Sequence, residues 1–341
     1  MKKVKCMNSK VLLIGGAGYI GTVVIRHLIK KNFDVTCLDN LIYNNLYSLG
    51  EFEKNNKFNF VLGDLRNESL MNKLLSKCDA VIILAGLVGD PITKKYPEIS
   101  EKINNEGTKK LISSCKNKKI EKLIFVSTCS NYGLNETDLP LNEEAELKPI
   151  SLYAKHKVEV EKYILSLKNG KDFSPTILRF STAFGLSPRM RFDLTINQFT
   201  KSIFCKEELE VFDSNTWRPY CHVKDFGIAL EKVLEADKKI TNFQVFNVGG
   251  DDNNFTKKQI VEQIFSFIPG DKVTFTNKKR DPRNYKVNFS KINKILNFKI
   301  KYSVNDGIEE MINFFKTNEK TLDVFNNLKF GNNIIDEKYF N

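Results

Sequence analysis

Histidine is scarce in this chain: three in 341 residues, at positions 27, 156 and 222. They are too dispersed to suggest a histidine-held metal, so no metal site is expected. The seven cysteines are an odd number and include no Cys-x-x-Cys pair. Several, such as Cys37 and Cys115, sit in apolar runs, which points to reduced core thiols. No apolar run approaches the ~20 residues that a membrane span needs, and there is no internal repeat. The segment Met1-Lys2-Lys3-Val4-Lys5 is basic but lacks the apolar core and small-residue cleavage site of a signal peptide. A cytoplasmic protein with no membrane partner is therefore expected. The net charge is +12, yet the lysines are scattered and no basic block is interleaved with aromatics. Nucleic acid is not an expected partner; an acidic small molecule, such as a nucleotide diphosphate, accounts for a basic cleft equally well. With 41% hydrophobic residues, a sizeable core in one large or two closely joined domains is affordable.

What is present centres on Lys10 to Gly21. Val11 to Ile14 reads as a buried strand, glycines follow at 15, 18 and 21, and Tyr19 to Lys31 has helical apolar spacing. Gly15 and Gly18, lacking Cβ, allow a sharp turn and let a pyrophosphate approach the backbone; Gly21 permits close helix–strand packing. The helix N-terminus, with Tyr19 and Ile20, faces the phosphates. A glycine triplet alone also suits a surface turn, but a second apolar run, Phe33 to Leu38, ends in Asp39. That is the distance at which an acid accepts both ribose hydroxyls of an adenosine. Strands at Phe58–Leu62, Asp79–Gly86, Lys122–Val126 and Thr176–Phe180 alternate with helices at Ile103–Cys115 and Leu152–Leu167. This alternation predicts an α/β doubly wound parallel sheet, the Rossmann fold, with a smaller C-terminal α+β domain. The expected division is 1–180 with 219–249 for the dinucleotide domain, and 181–218 with 250–341 for substrate. From about Asn318 the chain is Asn-rich and expected to be loosely ordered.

Tyr153 and Lys157 stand four apart on a helix, so both project from one face. A phenol titrates too high for a general base at neutral pH, and a nearby ammonium lowers it. Such a pair arises by chance on many amphipathic helices, but here it follows a strand ending in Ser127-Thr128. Thr128 either donates a hydrogen bond to the substrate oxygen or merely caps the strand end.

Together these residues resemble the extended short-chain dehydrogenase/reductase superfamily, in its NAD-dependent nucleotide-sugar epimerase/dehydratase branch. The spacing is Gly-x-x-Gly-x-x-Gly. The supporting motifs are Asp64-Leu65, Leu84-Ala85-Gly86, Asn104-x-x-Gly107-Thr108, Ser127-Thr128…Tyr132-Gly133, Tyr153…Lys157 and Arg218…His222-Val223. The resemblance implies NAD chemistry on a nucleotide-linked sugar in a homodimer. Asp39-Asn40, with no Arg at the strand end, favours NAD over NADP. It further implies cofactor contacts from Asp64, Leu65, Leu84, Ala85, Gly86, Asn104, Ser127, Tyr153, Lys157 and Phe180, with Thr128, Tyr153 and Lys157 catalytic. Arg218 and Arg280 are the expected diphosphate ligands, because guanidinium forks match phosphate oxygens; Thr182, Arg191, Asn197 and Arg283 are further substrate candidates.

Two departures narrow the activity. Dehydratases of this group carry Asp-Glu after the catalytic Thr, where this chain has Cys129-Ser130. UDP-galactose 4-epimerases, which it otherwise resembles at Leu38-Asp39-Asn40-Leu41, place Asn where Thr182 stands. The loop Ser187 to Asp193 resembles a branch acting on hexoses or heptoses for surface polysaccharides. The expected activity is a 4-epimerase or 4-dehydrogenase. A 4-ketoreductase, a 4,6-dehydratase and a non-catalytic nucleotide-binding regulator are the alternatives. Cys129 is expected to be packing, since no activating base stands beside it.

Overall fold

The computed structural model describes residues 9–118, 120–135, 137–168, 173–277, 283–318 and 335. In chain order the first half comprises β1 (Lys10–Ile14), α1 (Tyr19–Lys30), β2 (Asp34–Asp39), β3 (Phe58–Leu62), α2 (Glu68–Leu75), β4 (Ala80–Ile83), α3 (Asp90–Lys95), α4 (Pro97–Ser100), α5 (Thr108–Asn117), β5 (Lys122–Thr128), α6 (Leu152–Ser166) and β6 (Pro175–Phe180). The second half comprises β7 (Thr182–Phe184), α7 (Thr195–Phe204), β8 (Leu209–Phe212), β9 (Trp217–His222), α8 (Val223–Glu235), α9 (Lys238–Thr241), β10 (Gln244–Val248), β11 (Asn254–Thr256), α10 (Lys257–Phe265), β12 (Val273–Thr276), α11 (Ser290–Leu296) and α12 (Val304–Thr317).

The principal sheet has seven strands in the order β10-β6-β5-β4-β1-β2-β3, and each neighbouring pair is parallel. β4 and β6 are buried at every residue, as strands covered on both faces must be. Side chains alternate across the sheet. Val11 and Leu13 join the core on one face, with α1 and α8, while Leu12 and Ile14 join the core on the other. A third core, around Phe184, Ile196, Tyr220 and Met311, lies under the C-terminal elements. There β11, β9 and β7 form a three-stranded sheet and β12 pairs with β8. The proposed domain division crosses β9, which lies in this small sheet while the following α8 packs on α1.

The order reverses between β1 and β4, so the loops after β1, β2 and β4 diverge there and open a crevice at the strand ends. The helix expected over Ile103–Cys115 begins instead as a seven-residue π-helical segment, Glu101–Gly107, before α5. The Asn-rich tail beyond Asn318 lies outside the described residues, apart from the buried Ile335. Among the described residues no helix is long and apolar enough to cross a membrane.

Candidate active site

The glycine turn is built at the reversal point. Gly15 has φ +85°, and a Cβ there would lie 2.6 Å from the Ala85 backbone. Its N–H donates to the Leu38 carbonyl at 2.8 Å, and Ala85 N–H donates to Ile14 at 2.8 Å, so the ends of β2, β1 and β4 are tied together. A Cβ on Gly21 would lie 2.5 Å from the Gly16 carbonyl oxygen. Gly18 caps α1 without a side-chain bond, which leaves the first-turn N–H groups open to an anion.

At the end of β2, Asp39 accepts from Ala17 N–H at 3.0 Å and Leu41 N–H at 2.8 Å. Those bonds use two of the carboxylate's roughly four acceptor positions, leaving room for two ribose hydroxyls. Burial pushes the Asp39 carboxyl up, while the two N–H groups and Arg189 pull it down. Asn40 reaches Asp64 at 3.0 Å, and Arg66 grips the same carboxylate. Open helix donors, a glycine cradle and an acid with spare lone pairs fit NAD. Replacing Asp39 by Ala should raise the NAD Kd by about 10²- to 10⁴-fold, from two charge-assisted bonds of about 1.5–3 kcal/mol each. An unchanged Kd in a calorimetric titration would remove Asp39 from the ribose.

A cavity of about 410 Å³ runs from this turn across the sheet edge. Of the expected cofactor residues, Gly15, Gly18, Tyr19, Ile20, Gly21, Asp39, Asn40, Asp64, Leu65, Leu84, Ala85, Gly86, Ser127, Tyr153, Lys157 and Phe180 line it. Thr128, Thr182, Arg191, Arg218 and Arg283 line it too. Thr128 accepts from Ser130 N–H at 3.1 Å, capping the turn Cys129–Tyr132. That bond uses a lone pair and leaves the hydroxyl proton to donate. Among the described residues the Tyr153 hydroxyl has no hydrogen-bond partner. Lys157 donates to the Val126 carbonyl at 2.7 Å, with its ammonium 4.6 Å from the Phe125 ring centroid and 5.8 Å from that of Tyr153.

The electrostatics correct one expectation. The chain alone does not depress the Tyr153 phenol: burial pushes it well above its ordinary value, and the cation that most opposes this is Arg191, not Lys157. Lys157 is itself pulled down to about 8 by burial, against the pull of Glu161. Its charge is spent on a carbonyl and a neighbouring ring.

Two further expectations change. Asn104 does not line the cavity, because its amide accepts from Leu87 N–H at 2.8 Å and donates to Leu87 O at 2.9 Å. It fixes the loop after β4. Asn197 is fully buried and accepts from Gly185 N–H while donating to Tyr19 Oη and Arg191 O, each at 3.0 Å. It holds the arginine loop in place. That loop is also fastened to α1 through Ser187, which donates to Tyr19 O at 2.7 Å, and through the Tyr19 hydroxyl, which donates to Gly185 O at 2.6 Å. The Tyr19 hydroxyl is thus committed to that loop. Arg280 lies outside the described residues. Arg218 Nη1 donates to the Arg283 carbonyl, which sets these two arginines side by side, and Arg283 Nη2 lies 3.3 Å from Asp90 Oδ2.

Sequence reasoning missed Arg189, Tyr43, Asp90, Ser130, Asp193 and Tyr285 on the cavity wall. Arg189 lies 4.9 Å from the Tyr43 ring centroid, and Arg191 forms a two-pronged pair with Asp193 at 3.0 and 2.6 Å. The alternation Arg189-x-Arg191-x-Asp193 was the available signal. Cys129 stays out of the cavity: its thiol faces the Arg179 carbonyl at 3.3 Å, and burial pushes it up to about 12. It is packing, as its surroundings demand.

A dinucleotide cradle whose far end carries a tyrosine, a lysine and a threonine defines an NAD-dependent enzyme of the short-chain dehydrogenase/reductase type. The profile of the NAD dependent epimerase/dehydratase family matches residues 11–249, and the chain belongs to that family. It is 28% identical over 323 residues to a UDP-glucuronate 4-epimerase from Thermodesulfobacterium geofontis, covering 90% of this chain and 96% of that one. It is 27% identical to a dTDP-glucose 4,6-dehydratase from an Actinoplanes species, covering 91% of this chain and 98% of that one. The crystal structure of UDP-glucose 4-epimerase from Thermotoga maritima, solved with UDP-glucose, superposes with a TM-score of 0.80 at 25% identity. It covers 91% of this chain and 99% of the other.

Proposed function

We propose that this enzyme oxidises C4 of a nucleotide-diphosphate sugar, a hexose or heptose, as a 4-epimerase or a 4-dehydrogenase. The observation that carries the reading is the Tyr153 hydroxyl, unpartnered among the described residues, which shares one cavity with Thr128 and Lys157, the glycine turn and the Arg218–Arg283 pair. Arg218 and Arg283 hold the diphosphate. Thr128 donates to the C4 oxygen and Tyr153 takes its proton. Lys157, fixed by Val126, braces the Tyr153 side of the cavity. NAD, when bound, supplies the hydride acceptor and, in its oxidised form, a positive charge that favours the phenolate. An epimerase and a dehydrogenase differ in whether the keto sugar turns in the cavity or leaves it.

Elimination of water is disfavoured. It needs an acid and a base beyond the oxidised carbon, and the positions after Thr128 offer a buried thiol, Cys129, and a hydroxyl, Ser130. A role in surface-polysaccharide synthesis rests on the resemblance of the Ser187–Asp193 loop. Incubation with UDP-glucose, UDP-glucuronic acid and dTDP-glucose, followed by product analysis, tests the reading. A 4-epimer or 4-keto sugar supports it, whereas a 6-deoxy-4-keto sugar reassigns the enzyme as a dehydratase. Arg218→Ala should raise KM more than it lowers kcat, because the diphosphate is remote from the reacting carbon and is bound equally in ground and transition states. A lost kcat at unchanged KM would refute its assignment.

A further inference from the structure

Behind the catalytic strand end lies a buried ion pair that the proposed chemistry does not use. Glu161 is 1% exposed and follows Lys157 by one more four-residue step on α6, so Tyr153, Lys157 and Glu161 share a helix face. Its carboxylate accepts from Ser127 Oγ at 2.5 Å and Asn131 Nδ2 at 2.8 Å. It also accepts from Arg179 Nε at 3.2 Å and Nη2 at 2.7 Å. Every one of these donors is buried. Arg179 continues the network to the Tyr132 hydroxyl at 3.0 Å and the Glu143 carbonyl at 3.3 Å.

Thr128 sits between two of these anchor points, Ser127 and Asn131. One turn back on α6, Lys157 binds Val126 at the same strand end. The end of β5 is therefore clamped to α6 at two successive turns. Burying an ion pair gains little stability over apolar packing of the same shape, so stability alone does not account for it. Fixing the geometry of one segment against another does.

We propose that Glu161 is a positioning residue: it locks the Thr128 segment against the face of α6 that carries Tyr153. Its negative charge also opposes the burial that pulls Lys157 down. This rests on the proposed reaction for its catalytic meaning, but the clamp itself is a property of the folded chain. The charged and titratable groups around it are few. Arg179 comes from β6, Tyr132 and Cys129 from the turn after β5, and Glu143 from the loop before α6. Lys291, on α11, faces Glu143. Arg191 and Asp90 act on Tyr153 from the cavity side. Of these, Glu161 is the acid that acts on Lys157.

The test compares Glu161→Gln, Glu161→Asp and the double variant Glu161→Gln/Arg179→Gln, which leaves no unpaired guanidinium in the interior should the single variant fail to fold. Lys157 is titrated directly by NMR of labelled lysine side chains, its signal assigned by its loss in Lys157→Met; this needs no substrate. The midpoint should fall in both Gln variants and hold in Glu161→Asp. With whichever nucleotide sugar the native enzyme turns over, kcat should drop about 10- to 100-fold at unchanged KM in the Gln variants, the cost of a misplaced donor. If the Gln variants lose thermal stability but keep the native kcat and the native Lys157 midpoint, Glu161 is a structural residue and the proposal fails. If the native enzyme turns over no nucleotide sugar, the functional reading fails, and the NMR midpoint still decides for or against Glu161.

Discussion

Tyr153→Phe should abolish most turnover while leaving the fold and the bound NAD intact. The substitution removes one oxygen that has no protein partner among the described residues, so no internal hydrogen bond is lost and the melting temperature should hold. What is lost is the group that takes the C4 proton as hydride leaves. General acid–base catalysis of this kind is worth about 10²–10⁴-fold, and kcat should fall by that factor with KM little changed. The pH dependence carries the same information. Because burial holds the phenol above its ordinary value and Arg191 is the leading cation opposing it, the rate should climb with pH as the phenolate forms. Arg191→Gln should displace that climb to higher pH more than Lys157→Met does. A Tyr153→Phe enzyme that still reduces its bound NAD at nearly the native rate would remove the tyrosine from the mechanism.

Gly15→Ala should cost both stability and cofactor. At φ +85° an L side chain is strained by about 1–3 kcal/mol, and the new Cβ would sit 2.6 Å from Ala85 Cα and N. Those are backbone atoms of the β4 end and cannot swing aside like a side-chain tip, so overpacking adds about 1–3 kcal/mol. Relief requires β4 to move away from β1. That carries Leu84, Ala85 and Gly86 with it and spoils the cradle at the reversal point. The expected result is a melting temperature several degrees lower and protein purified largely without NAD. A native melting curve and full NAD content would show that the turn is looser than its geometry states.

Much of this arrangement was legible because its causes are local in sequence. Gly15, Gly18 and Gly21 follow an apolar run and precede a helical one, and Asp39 ends the next strand. Each is legible from the residues beside it. Tyr153 and Lys157 share a helix face by spacing alone. Spacing does not tell which way an amide points. Asn104 and Asn197 belong to the right motifs, yet both spend their hydrogen bonds on backbone of neighbouring loops, Leu87 in one case and Gly185 and Arg191 in the other. Nor does it tell what a charge is spent on. Lys157 was expected to lower the Tyr153 phenol, but its ammonium is held by Val126 and Phe125. The cation nearer the phenol's titration comes from Arg191, 38 positions along the chain, on a loop pinned to α1 by Tyr19 and Ser187. The π-helical segment Glu101–Gly107 is invisible to apolar periodicity because Ile103 is its one apolar side chain and the other residues it buries are Asn104, Asn105 and Gly107.

The central claim is hydride removal from C4 of a nucleotide sugar with proton transfer to Tyr153. Its most direct test is rapid mixing of the NAD-loaded enzyme with a nucleotide sugar deuterated at C4, following the absorbance of reduced NAD. The account predicts that the signal rises more slowly with the deuterated sugar than with the protiated one, and that the rise is lost in Tyr153→Phe. It also predicts that the recovered 4-epimer, or the reduced NAD left beside a released 4-keto sugar, carries the deuterium. Equal rates with both sugars, accompanied by deuterium retained at C4 of unaltered substrate or by reaction at another carbon, would contradict it.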